Sequence, residues 1–242
     1  MRDGELLRAR RLDLAFAPKP WRWAEDEAQR IDAHWAEIHA LNPALFDGRV
    51  LLLHSGALEG DIFRGAYLEA RFSRFIAWRD FGFPDASMRN CFAMAGLRAE
   101  DGGWLLGVMG AHTANAGKAY FPAGTPDPSD IVGDRVDLAA SVVRELKEET
   151  GLTGADVRHA DDWTLVPDGT KLACIRRVDV PGSADAVRDR ILATLAAETQ
   201  PELADIRIVR GPADLDPATM PVFILRYLTA AFAADLPGSS RT

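Results

Sequence analysis

Cysteine is scarce in this chain: of 242 residues only Cys91 and Cys174 carry thiols. They lie far apart and both sit in apolar runs. That excludes a disulfide framework and leaves two reduced core residues as the expectation. Long apolar runs are also missing. No stretch reaches the roughly 20 residues that a membrane-crossing helix needs, and Met1-Arg2-Asp3-Gly4-Glu5 does not resemble a secretory signal. A cytoplasmic protein without a membrane partner is therefore expected. There is no basic excess either: 28 Lys and Arg stand against 36 Asp and Glu, a formal net charge of -8. Such a balance argues against a broad grip on nucleic acid. A small phosphorylated substrate remains open, because a divalent cation reverses the field of an acidic site. His54, His112 and His159 show no zinc-like spacing. Ser55 and Ser141 lie in no nucleophile elbow, and Gly102-Gly103 lacks the lysine of a phosphate loop.

What the chain does have is apolar content, 48% hydrophobic against 26% charged residues, enough for a sizeable core. Trp23, Ile31, Trp35, Ile38 and Leu41 recur mostly at three- and four-residue intervals and predict a helix over 21–41, ended by Asn42-Pro43. Val50 to Leu53 reads as a strand. Residues 62–67 read as extended, and Leu68 to Trp78 has helical spacing. A hairpin is predicted over 91–98 and 104–110 around Glu100-Asp101-Gly102-Gly103. A helix is predicted over 137–150, with Asp137 as N-cap, Gly151 as stop, and Val142, Val143 and Leu146 as its buried stripe. Strands follow at 163–166 and 171–180, a helix at 184–199, a strand at 206–209 and a last helix at 220–234. This order predicts an α/β fold, a mixed central sheet packed between helices, with a helical N-terminal extension. The organisation expected is an extension over 1–47, a main domain over 48–235 and a flexible tail over 236–242. The tryptophans and other aromatic residues of the extension leave a homodimer open.

The chemistry concentrates in Arg144-Glu145-Leu146-Lys147-Glu148-Glu149-Thr150-Gly151-Leu152. On a helix, Glu145 lies three and four residues from Glu148 and Glu149, so the three carboxylates approach one point. Like charges placed this way repel, and a hard divalent cation relieves the repulsion. Magnesium suits a phosphate-bearing substrate because it keeps waters while binding carboxylate and phosphate together. Upstream, Phe121-Pro122-Ala123-Gly124-Thr125 forms a constrained Pro/Gly loop.

These two segments together resemble the signature of the Nudix hydrolases: a glycine, a spacer, a glutamate, a spacer, then Arg-Glu-aliphatic-any-Glu-Glu-any-Gly-aliphatic. Residues 144–152 match the second half at every specified position, and Gly124 stands for the signature glycine. The strong match covers about 35 residues, and the element order over roughly 48–235 resembles the family's α/β/α sandwich. The resemblance implies Mg2+ as cofactor, with Mn2+ as a substitute. It implies Glu145, Glu148, Glu149 and the carbonyl of Ala123 as metal ligands, with Glu145 alternatively orienting and deprotonating water, and Arg144 fixing the glutamates. Metal-activated water would attack a diphosphate phosphorus. A further late-loop carboxylate is common in such enzymes, and Glu198 and Glu202 are the candidates, with Asp161 and Asp162 weaker ones. His112 is a candidate substrate contact.

The chain departs from the pattern at one point. The first signature glutamate falls on Val136, and the loop from Gly124 is about six residues too long. Asp127, Asp130 and Asp134 in that loop are candidates to replace the missing carboxylate. The segments Asn42-Pro43-Ala44-Leu45-Phe46-Asp47-Gly48-Arg49 and 120–128 resemble, more loosely, a branch associated with UDP-sugar cleavage. A small nucleotide with a diphosphate is thus the expected substrate, a nucleotide sugar such as UDP-glucose first. ADP-ribose, coenzyme A and dinucleotides are alternatives, as is a non-catalytic nucleotide-binding regulatory protein.

Overall fold

The computed structural model describes residues 4–43, 45–113 and 115–235. The expected flexible tail over 236–242 lies outside them. In chain order the elements begin with strands β1 (Leu7–Ala9) and β2 (Arg11–Phe16) and helices α1 (Arg22–Asp26) and α2 (Ala28–Leu41). Strands β3 (Arg49–Glu59) and β4 (Ile62–Arg71), helix α3 (Phe72–Asp80), and strands β5 (Asn90–Ala99) and β6 (Trp104–Met109) follow. Four two-residue strands come next: β7 (Ala119–Tyr120), β8 (Ala123–Gly124), β9 (Ile131–Val132) and β10 (Arg135–Val136). The chain continues through α4 (Leu138–Thr150), β11 (Arg158–His159), β12 (Trp163–Asp168), β13 (Lys171–Val180), α5 (Ala184–Leu195), β14 (Leu203–Val209) and α6 (Val222–Asp235).

Among the described residues the strands form two sheets. The larger runs β1-β12-β13-β5-β6-β14, with β8, β7 and β11 added beside β5, β6 and β13. It is mixed, because β13 and β5 pair in parallel while the other pairs are antiparallel. The smaller sheet runs β3-β4-β2-β10-β9, with β2 and β4 parallel.

Alternation along the strands sends side chains to both faces of the large sheet. On one face Ala93, Ala95 and Leu97 of β5 join Val142 and Leu146 of α4 and Val187 and Ile191 of α5 in one apolar cluster. On the other, Phe92 and Met94 of β5 meet Phe223, Ile224 and Tyr227 of α6. The fold is therefore the expected α/β/α sandwich around a mixed sheet. A third cluster holds Trp21, Ile31, Leu52, Leu68 and Trp78, and seats the α1–α2 extension on β3, β4 and α3.

Several sequence expectations need correction. Leu68 to Arg71 belong to strand β4, and the helix starts only at Phe72. Tyr67 and Leu68 are both buried while pairing with β3, so sheet burial overrides a run of helical spacing. The helix expected over 21–41 is broken at Glu27 into α1 and α2. The helix expected to reach Thr199 stops at Leu195. Val143 does not join the buried stripe of α4: it is 41% exposed, and Leu138, Val142, Leu146 and Glu149 form that face instead. The extension also contributes strands as well as helices, β1 to the edge of the large sheet and β2 to the centre of the small one. Cys91 and Cys174 are buried and unbridged as expected, although their sulfurs approach to 3.6 Å across the β5–β13 pair.

Candidate active site

Helix α4 is held in place at both ends. The Asp137 side chain accepts from Ala139 N and Ala140 N, both at 3.0 Å. At the other end Gly151 takes a left-handed conformation, φ 72°, and its N–H bonds to Lys147 O. A Cβ at Gly151 would sit 2.7 Å from Thr194 of α5, so glycine also lets the two helices meet. With its apolar stripe turned to the sheet, α4 carries Glu145 and Glu149 against the loop strand β8.

That loop is bound to the large sheet. Ala123 and Gly124 pair with Met94 and Ala93 of β5, and Ala123 N donates to Glu149 Oε1 at 3.2 Å. A Cβ at Gly124 would overlap the Glu145 carboxylate, so the glycine is required for the carboxylate to lie against the backbone.

Glu149 is 4% exposed, and its Oε2 is buried without a hydrogen-bond partner. Burial raises its pKa well above the usual carboxylate range, and the charges of Glu202, Glu145 and Glu148 raise it further against the opposing Ala123 N–H. Glu145 is pushed up to about 7, first by burial, with Arg144 opposing and Glu148, Glu202 and Asp130 adding to the rise. Glu148 is exposed at the rim. The Glu202 carboxyl is also raised, by loss of water first, with His112 opposing. The late carboxylate whose charge acts on this helix is thus Glu202, at the start of β14. Glu198 is exposed in the turn after α5. His112 is exposed beside Glu202. Asp162 pairs with Arg8 at 3.1 Å, and Asp161 is exposed.

A chain does not ordinarily bury a carboxylate oxygen without a donor and set like charges around it; a cation satisfies both conditions. Among the described residues no three His, Cys, Asp or Glu side chains come together closely enough to hold a metal ion by themselves. The donor set is all oxygen, and magnesium keeps several waters rather than filling an all-protein cage, so these residues fit it.

The long loop after Gly124 accounts for the departure at Val136. Its extra residues build the β9–β10 hairpin, which pairs through Arg135 with Ala15 of β2. Val136 is consequently 5% exposed and part of the main core. The carboxylate that reaches α4 is Asp130. It sits at the end of a short 3-10 turn that Asp127 caps by accepting from Ser129 N at 2.7 Å. Asp130 is 4% exposed and accepts from Asp127 N at 3.0 Å. Arg144 Nη2 reaches both its oxygens, at 3.0 and 3.2 Å. The same Nη2 lies 3.1 Å from Glu145 Oε1, and Nη1 donates to Ser129 Oγ at 3.1 Å. Arg144 therefore links the loop to Glu145. Asp134 is exposed on the hairpin.

Two outcomes follow. Asp130→Ala removes the buried partner of the Arg144 guanidinium, leaving it Glu145 and the Ser129 hydroxyl, and is expected to cost about 1–3 kcal/mol by urea unfolding. Turnover should fall as well, because Glu145 loses its brace; unchanged stability and turnover would remove Asp130 from this role. Val136→Glu places a carboxylate in the core and is expected to cost several kcal/mol rather than improve the site. Thermal denaturation reads that directly, and a stable, more active variant would contradict it.

A cavity of about 340 Å3 opens from Ala123, Gly124 and Glu202. It runs past Met94, Phe92 and Asn90 of β5 towards α3. Asn90, Phe92, Lys171 and Phe223 also line this cavity; the alternation Asn90-Phe92-Met94 places these three side chains on one face of the strand, although it does not reveal what faces them.

No family model and no curated protein matches the chain. Solved structures with similarity include a MutT protein from Methanosarcina mazei Go1, 22% identical, with a TM-score of 0.38 over 60% of this chain and 93% of that one. A Nudix hydrolase from M. smegmatis is 15% identical, with a TM-score of 0.37 over 62% and 88%. A Nudix hydrolase from Nitrosomonas europaea is 16% identical, with a TM-score of 0.39 over 61% and 73%.

Proposed function

We propose that the chain is a Nudix-type, magnesium-dependent hydrolase of a small nucleotide containing a diphosphate, with a nucleotide sugar such as UDP-glucose as first candidate and manganese as a substitute metal. The observation that carries this reading is the buried, unpartnered Glu149 oxygen on a helix end crowded by Glu145, Glu148 and Glu202. The signature match at 144–152 supports it. In this reading Glu148, Glu149 and the carbonyl of Ala123 hold the cation. Bound there, the metal offsets the carboxylate charge and the charge developing on the phosphoryl oxygens. Arg144, anchored on Asp130, orients Glu145. Glu145 Oε takes the proton of the water whose oxygen bonds to phosphorus, as the bridging P–O bond of the diphosphate breaks. Two phosphorylated fragments leave.

The test is a panel of UDP-glucose, UDP-galactose, ADP-ribose, coenzyme A and dinucleotides with Mg2+ or Mn2+, with products identified by mass. The expected result is UMP and a sugar phosphate from UDP-glucose. Cleavage of a different member keeps the hydrolase reading and moves the substrate. Thermal stabilisation without cleavage would replace it with a nucleotide-binding regulatory protein.

A further inference from the structure

The wall that α3 gives to the cavity ends in a strained residue. Phe72, Phe75, Ile76 and Arg79 recur at i, i+3, i+4 and i+7, so one face of the helix lies on the cavity. The helix then stops in a glycine-capped turn: Gly82 N donates to Arg79 O at 3.0 Å, and Phe83 N donates to Trp78 O at 2.8 Å. Gly82 takes the left-handed conformation that such a turn needs, φ 80°. Phe83 takes it as well, φ 59°, and is the one non-glycine residue with positive φ among the described residues. The turn does not require this of Phe83. A bulky side chain is disfavoured there, and Pro84 pushes the residue before it towards extended backbone. Phe83 also lines the cavity.

Strain of this kind persists only where the surroundings over-determine it. On one side the Phe83 ring meets Trp78 edge to face, with centroids 4.7 Å apart. On the other side Asp85 gathers three donors. Its backbone carbonyl accepts from Trp78 Nε1 at 3.1 Å, its Oδ2 from Trp21 Nε1 at 2.9 Å, and its Oδ1 from Ser87 N at 2.9 Å. Trp21 and Trp78 are buried and stand edge to face at 6.0 Å. Trp21 belongs to the N-terminal extension, so the extension reaches the cavity wall through one carboxylate two residues from Phe83. Packing on Trp78 does not explain the strain, because the apolar contact that accompanies such a turn forms with ordinary backbone at this position. The cavity does explain it. At about 340 Å3 it lies near the lower end of the roughly 300–1,000 Å3 of ligand sites, so one ring decides what fits.

We propose that Phe83 is a specificity-determining residue for the part of the substrate beyond the diphosphate, and that Asp85, tied to Trp21 of the extension, is the positioning residue that holds Phe83 in the wall. The inference rests on the hydrolase reading for the kind of compound that is sorted. Its groups lie on the connection from α3 to β5, away from the acidic helix, so the two readings can fail separately.

The test measures KM and kcat on UDP-glucose, ADP-ribose and coenzyme A with Mg2+, and the affinity of the metal-free protein for the same three compounds by calorimetric titration. Phe83→Gly should raise KM and Kd of the preferred compound about five- to tenfold, with kcat within about twofold, and should narrow its preference over the bulkier compounds. Phe83→Gly should also melt about 2–4 °C above Phe83→Ala, because only glycine takes this φ freely. Asp85→Ala removes nothing from the cavity lining, yet should raise the same KM about threefold, and should add nothing in the Phe83→Gly background. Trp21→Phe breaks the same bond from the extension and serves where Asp85→Ala does not fold. Unmoved KM and Kd in Phe83→Gly would overturn the specificity role while leaving the hydrolase intact. A lower Tm in Asp85→Ala or Trp21→Phe with KM unmoved, or additive effects in the double variant, would overturn the positioning role. Weakened binding in the variants without any cleavage would keep the inference and sink the hydrolase. Failure of all three compounds to bind the unmodified chain would overturn it, since a wall that meets none of them sorts none.

Discussion

Glu149→Gln is expected to lower metal-dependent diphosphate cleavage by at least about a hundredfold while raising the stability of the metal-free protein. The two effects have one cause. Glu149 is 4% exposed, lacks a partner at Oε2, and sits in the field of Glu202, Glu145 and Glu148. Its negative charge serves a cation and opposes the fold when none is bound. Glutamine keeps an oxygen for the Ala123 N–H. It turns the orphaned oxygen into an amide donor among acidic neighbours and removes one buried charge. Each kcal/mol recovered should appear as a rise of about 2–4 °C in Tm for a chain of this size. A drop in both turnover and metal-free Tm would mean that Glu149 is only a structural carboxylate. Unchanged turnover would remove it from the proposed ligand set.

The second large effect concerns pH and metal together. Glu145 is raised to about 7 and Glu149 is raised as well, both first by burial. A carboxyl whose folded pKa exceeds its unfolded value contributes stability that is complete below the unfolded pKa, 4.5 for these groups, and is lost as pH rises through the folded one. The metal-free protein should therefore lose stability between about pH 5 and 8, with Glu145 alone accounting for roughly 3 kcal/mol. His54 and His159, held below their usual range by burial, pull the other way in part of this window. The decisive quantity is thus the difference between the chain and Glu145→Gln, in which the Glu145 contribution vanishes. Magnesium or manganese held by Glu149 competes with its proton and disfavours protonation of the neighbouring Glu145, so it should raise Tm at pH 8 far more than at pH 5. Metal stabilisation that is independent of pH would show that Glu149 does not hold the cation, and a Glu145→Gln curve parallel to that of the unmodified chain would show that Glu145 is not the group that titrates in this window.

The parts of the site that were legible in the sequence are those whose geometry is local. Residues 144–152 form the last two turns of α4 and their stop, so the spacing of the glutamates, the Asp137 cap and the Gly151 exit follow from 3.6-residue periodicity and from the freedom of glycine. The hairpin at Glu100 to Gly103 and the two faces of β5 are local in the same sense. The segment 68–71 was misread because its burial depends on β3 and β2 rather than on its own period. Val143 was misplaced because a stripe of three apolar residues does not reveal which of them a sheet will cover.

By itself, the sequence determined the α/β order, the acidic helix with the spacing of its glutamates, and the absence of a disulfide framework, since each depends on residue type and short spacing. Tertiary structure alone decided which acid braces Arg144. Asp127, Asp130 and Asp134 look equivalent along the chain, and only the pairing of the β9–β10 hairpin with β2 buries Val136 and brings Asp130 within 3.0 Å of the guanidinium. It also set the charge of Glu202, rather than that of Glu198, against Glu149, and it enclosed the aromatic cavity with Asn90 at its far end. These are contacts between residues tens of positions apart. They arise from strand register and from the packing of helices on two sheet faces, which no short window of sequence encodes.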